Sequence, residues 1–340
     1  MKEIGSEFWE VPTKASLSKF PYNAKWFISG RSALYYIITD MKSKRKINKV
    51  AMPSWCCDSM IKPFVDSGID VKFYPIYLDD DGHFMQDLSD LMDCAAVLVM
   101  DYFGYTGQNN VYDFSGIIIR DVTHSIFSAN YEDADYYFGS LRKWAGFWSG
   151  GYAWAKDISL LTAPIPTPNK HYAILREKAM QEKGKYIREF HDNKEYLSMF
   201  SEAEKLLDIC GICGAEDRDI ALLQKLDVEF IRTRRRENAK RLLNSVADIA
   251  IFPELQASDC PLFVPIMVPK GKRDALRSYL IQNDIFCPVH WPISMLHRLD
   301  EHTQRIYDEE ISIVCDQRYS VYDMQRVCAF IEDFRTREMF

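Results

Sequence analysis

Asp121 closes the run GIIIRD (116–121), and Lys143 stands in GSLRK (139–143), one apolar run further on. Carried on neighbouring strand ends, an acid and an amine can grip opposite sides of one aromatic ring. The amine can hold an aldehyde as an imine. The carboxylate can keep a ring nitrogen protonated, which turns the ring into an electron sink. A charge pair about 4 Å apart is worth roughly 4 kcal/mol at an effective dielectric near 20. At about 1.36 kcal/mol per pKa unit, that suffices to hold such a nitrogen protonated at neutral pH.

Other groups stand where they could join this pair. His124 follows Asp121 in DVTHS (121–125), and Ser140 precedes Lys143. The stretch SGRSA (29–33) opens a helical pattern, so Gly30, Arg31 and Ser32 offer backbone donors and a hydroxyl to a phosphate. Phe103, in DYFG (101–104), follows a further apolar run. The cofactor that needs this set is pyridoxal 5′-phosphate (PLP). Blander readings stay open on spacing alone, because an aspartate after a strand often only caps a helix and S-x-x-K arises by chance. A serine acyl-enzyme of the S-x-x-K type also wants S-D-N and K-T-G triplets, and neither occurs. A nicotinamide enzyme wants a glycine fingerprint after its first strand, whereas SWCCDSM (54–60) has no glycine.

These residues need a scaffold that aligns strand ends. The runs 49–53, 70–76, 95–101, 116–121, 135–139 and 151–155 are short and apolar, with a helical pattern over 57–67. Continuous apolar strands alternating with helices predict an open α/β sheet buried on both faces. In such sheets ligands sit beyond the carboxyl ends of the strands. Residues 169–208 turn charged and helical, and a second α/β pattern follows: strand-like 261–269, helical 272–283, strand-like 285–291 and helical 322–334. The expected division is a large domain over 1–230 and a small one over 231–340.

The 340 residues, 47% of them hydrophobic, suit a globular protein with a sizeable core. A net charge of −7 speaks against nucleic acid as a partner. The basic cluster at Arg232, Arg234, Arg235, Arg236, Lys240 and Arg241 reads as a solvated helix face. No apolar stretch is long enough to cross a membrane. The start MKEIGSEFWE lacks the apolar core of a signal peptide, and nine cysteines without a framework read as reduced thiols. A cytoplasmic place is therefore expected, with a structural role for the Cys210/Cys213 pair and no metal site.

In their order and spacing, SGRSAL (29–34), MPSWCCDSMIKPF (52–64), DYFGYTG (101–107), RDVTHS (120–125), FGSLRKWAGFWSGGYAW (138–154) and RRRENAKRL (234–242) resemble the DegT/StrS-type aminotransferases. The resemblance implies fold type I: a large, mostly parallel sheet domain with a smaller C-terminal α/β domain. It implies that Lys143 holds PLP and shuttles protons, with Asp121 at the pyridinium nitrogen. His124 would lie at the phenolic-oxygen side or brace the ring. Ser140 and the helix start at Gly30, Arg31 and Ser32 would hold the phosphate. Trp55, Cys56 and Cys57 occupy the segment that stacks on the ring, and Phe103 joins the cofactor-binding set. His290, in CPVHW (287–291), matches a position near the substrate mouth, where a satisfied strand histidine is an equal alternative.

Two departures mark a divergent branch. Cys57 stands where an aromatic residue is usual, and 213–224 (CGAEDRDIALLQ) lacks the family's Asn-Tyr-Arg-Met segment that reaches the partner subunit's phosphate. Arg31 could take up some of that charge. The activity implied is transfer of an amino group from an amino acid, glutamate first, to a keto sugar. That acceptor is expected to be nucleotide-linked, in cell-surface polysaccharide or related biosynthesis, with the enzyme a homodimer. The alternatives are a differently reacting relative such as a sugar dehydratase, whose known examples carry histidine in place of the lysine, and a non-catalytic PLP-fold protein.

Overall fold

A computed structural model describes residues 3–15, 23–108, 114–128, 133–157, 159–189, 193–338 and 340. The anticipated runs become the strands Lys49–Pro53, Asp70–Tyr74, Ala96–Met100, Ile117–Asp121, Tyr136–Ser140 and Gly151–Ala155. Together with Lys25–Phe27 they form one seven-stranded sheet. By first residue its order is 25, 151, 136, 117, 96, 49, 70. The five strands from Asp70–Tyr74 across to Tyr136–Ser140 pair in parallel. Gly151–Ala155 runs against both of its neighbours. Every residue of Ala96–Met100, Tyr136–Ser140 and Gly151–Ala155 is buried, which is why these strands are apolar throughout instead of alternating.

The helix Gly30–Lys44 lies across Tyr136–Ser140 and Gly151–Ala155, burying Ala33, Leu34, Ile37 and Ile38. The helix Asp58–Asp66 follows Lys49–Pro53. The charged stretch after residue 169 forms two helices, Lys170–Glu189 and Tyr196–Ile209, packed on each other.

A second core collects Val264 and Ile266 from the strand Phe263–Met267, with Ile311 and Ile313 from the antiparallel strand Glu310–Val314. The helices Val228–Val246, Arg273–Gln282 and Val321–Glu338 cover it. Ile4 belongs to this core too, because the short strand Ile4–Gly5 pairs in parallel with Ile285–Phe286. The helix Val228–Val246 runs across the expected boundary at 230/231.

Two expectations change. The strand expected over 285–291 stops after Ile285–Phe286. Pro288 has no N–H for a ladder, and its carbonyl instead accepts from Ser312 N–H at 2.9 Å. The basic cluster is not solvated throughout. Arg235 is 1% exposed and lies over the Trp144 ring, 4.6 Å from its centroid, while donating to Gln317 and to the Leu262 carbonyl. Among the described residues no helix is long and apolar enough to cross a membrane.

Candidate active site

At the carboxyl ends of the central strands lies a cavity of about 600 Å³. Asp121 ends the strand Ile117–Asp121 and lines it. Burial raises the pKa of this carboxyl to about 6, although the Thr123 N–H donates to Oδ1 at 2.7 Å. A buried acid held in that range ionises fully only beside a cation. Lys143 lines the same cavity from the tight turn Leu141–Lys143, directly after Tyr136–Ser140. The two turns are tied together: the indole N–H of Trp144 donates to the Thr123 carbonyl at 2.7 Å. Lys143 has no hydrogen bond or ion pair among the described residues. Its charge is felt by Asp121, His124, His290, Cys57 and Glu7, which come from four separate segments.

His124 is buried, and burial, with the His290 ring and the Lys143 charge nearby, holds its ring neutral. The Phe103 N–H donates to Nδ1 at 3.3 Å, so Nε2 carries the ring's hydrogen. His124 is thereby set as a neutral donor on the cavity wall.

The other end of the cavity is built for an anion. The Ser29 hydroxyl caps the helix Gly30–Lys44 by accepting from Ser32 N–H at 3.2 Å, and among the described residues no acceptor pairs with the N–H of Gly30 or Arg31. The Ser140 hydroxyl has no protein partner among the described residues. Arg31 donates to Asp208 at 2.6 Å, yet its Nε, like that of Arg142, is buried without a partner. Orphaned donors beside a helix start are a cradle for phosphate. The glycines keep that cradle tight. A Cβ on Gly151 would fall 2.1 Å from the Ser29 carbonyl, and one on Gly139 would fall 2.3 Å from the Tyr152 hydroxyl.

Of the residues singled out in the sequence, Asp121, His124, Ser140, Lys143, Gly30, Arg31, Cys57 and His290 line this one cavity. Four others stand behind its wall. The Ser32 hydroxyl is spent on both backbone groups of Cys213. Trp55 stacks on Tyr102 with centroids 4.9 Å apart and donates from its indole to the His290 carbonyl at 2.5 Å, so it braces the His290 loop and does not face the cavity. The Cys56 N–H donates to the Tyr307 hydroxyl. The Phe103 ring packs on those of His124 and His290, 5.1 and 5.3 Å away. Cys57 does line the cavity, but burial raises its thiol, and Ser59 lies within hydrogen-bond range.

Sequence reasoning missed one whole wall. Residues 5–8 line the cavity together with Arg142, Arg176 and Glu204. Glu7 pairs with the buried Arg176 at 2.8 Å. Burial alone would raise its carboxyl, but Arg176, Arg142 and Lys143 bring it down to about 2. Only Arg142, adjacent to Lys143, carried a signal. The others arrive by tertiary packing from distant segments.

No family model and no curated protein matches the chain. Solved structures do. A DegT DnrJ EryC1 StrS aminotransferase from Brucella abortus superposes with a TM-score of 0.60 at 15% identity, over 92% of this chain and 85% of that one. DesI, solved in the presence of its TDP-sugar product, gives 0.64 at 14%, over 93% and 82%. NtdA from Bacillus subtilis, with its cofactor PMP bound, gives 0.63 at 13%, over 94% and 78%. The chain has the fold of the fold-type I PLP-dependent aminotransferases. Within that aminotransferase fold, near-complete coverage at such low identity marks a divergent sequence on a retained frame.

Proposed function

We propose that this chain is a PLP-dependent aminotransferase that moves an amino group from an amino acid, glutamate first, to a keto sugar carried on a nucleotide. The observation that carries the reading is the shared cavity: Asp121 and Lys143 open into it on adjoining turns, with Ser140 and the Gly30–Arg31 helix start beside them. PLP held there would supply the electron sink. The Lys143 amine would hold the aldehyde carbon and, once displaced by a substrate amine, carry protons between carbon atoms. Asp121 would face the ring nitrogen and keep its proton in place. His124 Nε2–H would donate to the phenolic-oxygen side. The N–H groups of Gly30 and Arg31, the Ser140 hydroxyl, and the guanidinium groups of Arg31 and Arg142 would hold the phosphate. In this reading Ser32, Trp55, Cys56 and Phe103 support that wall from behind.

The sugar acceptor is supported by DesI, whose structure was solved with its TDP-sugar product. A two-fold homodimer in the cytoplasm, with domains over 1–230 and 231–340, goes with the same reading. The direct test is to incubate the protein with PLP, reduce with borohydride and map the label. The expected result is a visible absorbance band and a reduced adduct on Lys143, with both lost in Lys143→Ala. Full labelling of that variant would overturn the assignment. Loss of the band on adding glutamate, with release of the keto acid, would separate an aminotransferase from a silent binder.

A further inference from the structure

His290, which is 8% exposed, lines the same cavity as Lys143. Its Nδ1 lies 2.8 Å from the Ser312 hydroxyl. That hydroxyl lies 2.5 Å from Glu310 Oε1, while Glu310 Oε2 accepts from the His290 N–H at 2.9 Å. Glu310 and Ser312 are fully buried. The other ring nitrogen of His290, Nε2, has no partner among the described residues and is left to the cavity. A buried carboxyl, a hydroxyl and an imidazole thus form one chain that ends at the candidate site.

A hydroxyl between two such groups can point only one way at a time. With Glu310 protonated, its O–H donates to Ser312, Ser312 donates to Nδ1, and Nε2 carries hydrogen toward the cavity. With Glu310 ionised, Ser312 donates to the carboxylate, Nδ1–H donates to Ser312, and Nε2 offers a lone pair. We infer that Glu310, Ser312 and His290 are a proton relay that serves the site through the His290 ring, the proton on Glu310 deciding whether Nε2 is donor or acceptor. The proton count closes. When Nε2 gives its proton to a bound molecule, Nδ1 takes one from Ser312 and Ser312 takes one from Glu310. The negative charge ends on Glu310, and the imidazole stays neutral throughout.

The surroundings explain why the relay is needed. His290 feels the Lys143 charge and packs edge-on against the His124 ring, with the rings of Phe103, Phe263 and Trp291 around it. Burial and then the Lys143 charge bring its own pKa down to about 3, so alone it would be a poor base. Glu310 is faced by Ser312, the His290 N–H, Arg273 and the Cys287 thiol. Burial outweighs the lowering by its hydrogen bonds and by Arg273, and raises it to about 8. The relay therefore changes over close to neutral pH.

The role in turnover rests on the PLP reading, whereas the relay itself does not. The test is nitrogen NMR of histidine-labelled, cofactor-free protein, with His290→Asn to assign the signal. The Nε2–H form is expected at neutral pH, giving way to Nδ1–H as pH passes about 8. Glu310→Gln, whose amide still donates to Ser312, should hold the Nε2–H form through the alkaline range. One unchanging tautomer in the unmodified protein, or a changeover that survives Glu310→Gln, would overturn the relay. In PLP-loaded protein, Ser312→Ala should slow amino transfer about a hundredfold and remove the alkaline inflection that Glu310→Gln also removes. Unchanged rates and pH profile would overturn its part in turnover. A protein that never takes up PLP would sink the reading of the site, while the spectrum would still decide the relay.

Discussion

Asp121 is a carboxyl whose burial outweighs the nearby Lys143 charge, and this has a measurable cost. Its pKa moves from the ordinary 3.8 to about 6 in the folded chain. The folded state therefore binds the proton more tightly than the unfolded one. The stability that this gives is present below about pH 4 and is lost as pH rises through 6. Asp121→Asn should then make the cofactor-free protein more stable at pH 7 by on the order of 2 kcal/mol in denaturant titration, a gain that disappears in acid. The same variant should fail to hold PLP with the ring nitrogen protonated, seen as a loss of the visible band. Asp121 and Lys143 were legible in the sequence because one ends a strand and the other stands in the turn directly after one, and in an open sheet that is where sites lie. Glu310 and Ser312 were not, since an acid in EISIV (310–314) has no local feature to distinguish it from a surface residue. Its meaning comes from His290, which packing brings within 3 Å.

Elements decide how tightly the anion end is held. The helix start and the antiparallel strand touch through Gly151 against Ser29. Gly151→Ala should push the helix start away from the strand. Affinity for PLP should fall at least tenfold, while pyridoxal without phosphate loses little, because the damage lies at the phosphate end; equilibrium dialysis of both compounds checks this. Most sheet strands were readable as apolar runs. Lys25–Phe27 was not, being three residues long with one buried. The helix Glu301–Glu309 and the strand Glu310–Val314 also went unread, since polar residues adjoin both. The reversed direction of Gly151–Ala155 had a signal that went unused. The link from Ser140 to Gly151 is too short for the crossover that a parallel partner needs.

At the scale of the molecule, the cavity closes only because distant segments meet. Arg176 is 1% exposed and leans on Glu7, with Glu204 3.5 Å from its other amine. Glu7→Gln should destabilise the protein by roughly 1–3 kcal/mol at neutral pH, since a buried guanidinium loses a charged partner. Glu7 titrates near 2 instead of 4.5, so its contribution is present above pH 4.5 and is lost as pH falls toward 2. The difference between the two proteins should shrink over that window in thermal melts. Packing of this kind, between residue 7 and the helix Lys170–Glu189, leaves no periodicity to read.

The pairing of Ile4–Gly5 with Ile285–Phe286 also sets an order of events during synthesis. Ile4 and Gly5 can find their place only once Ile285 and Phe286 have been made. Until then the wall formed by residues 5–8 is absent, and a vitamin captured early would sit in an open trough. Nascent chains arrested before Ile285 should leave the Lys143 amine open to any small aldehyde, and only release of the finished chain should make it selective.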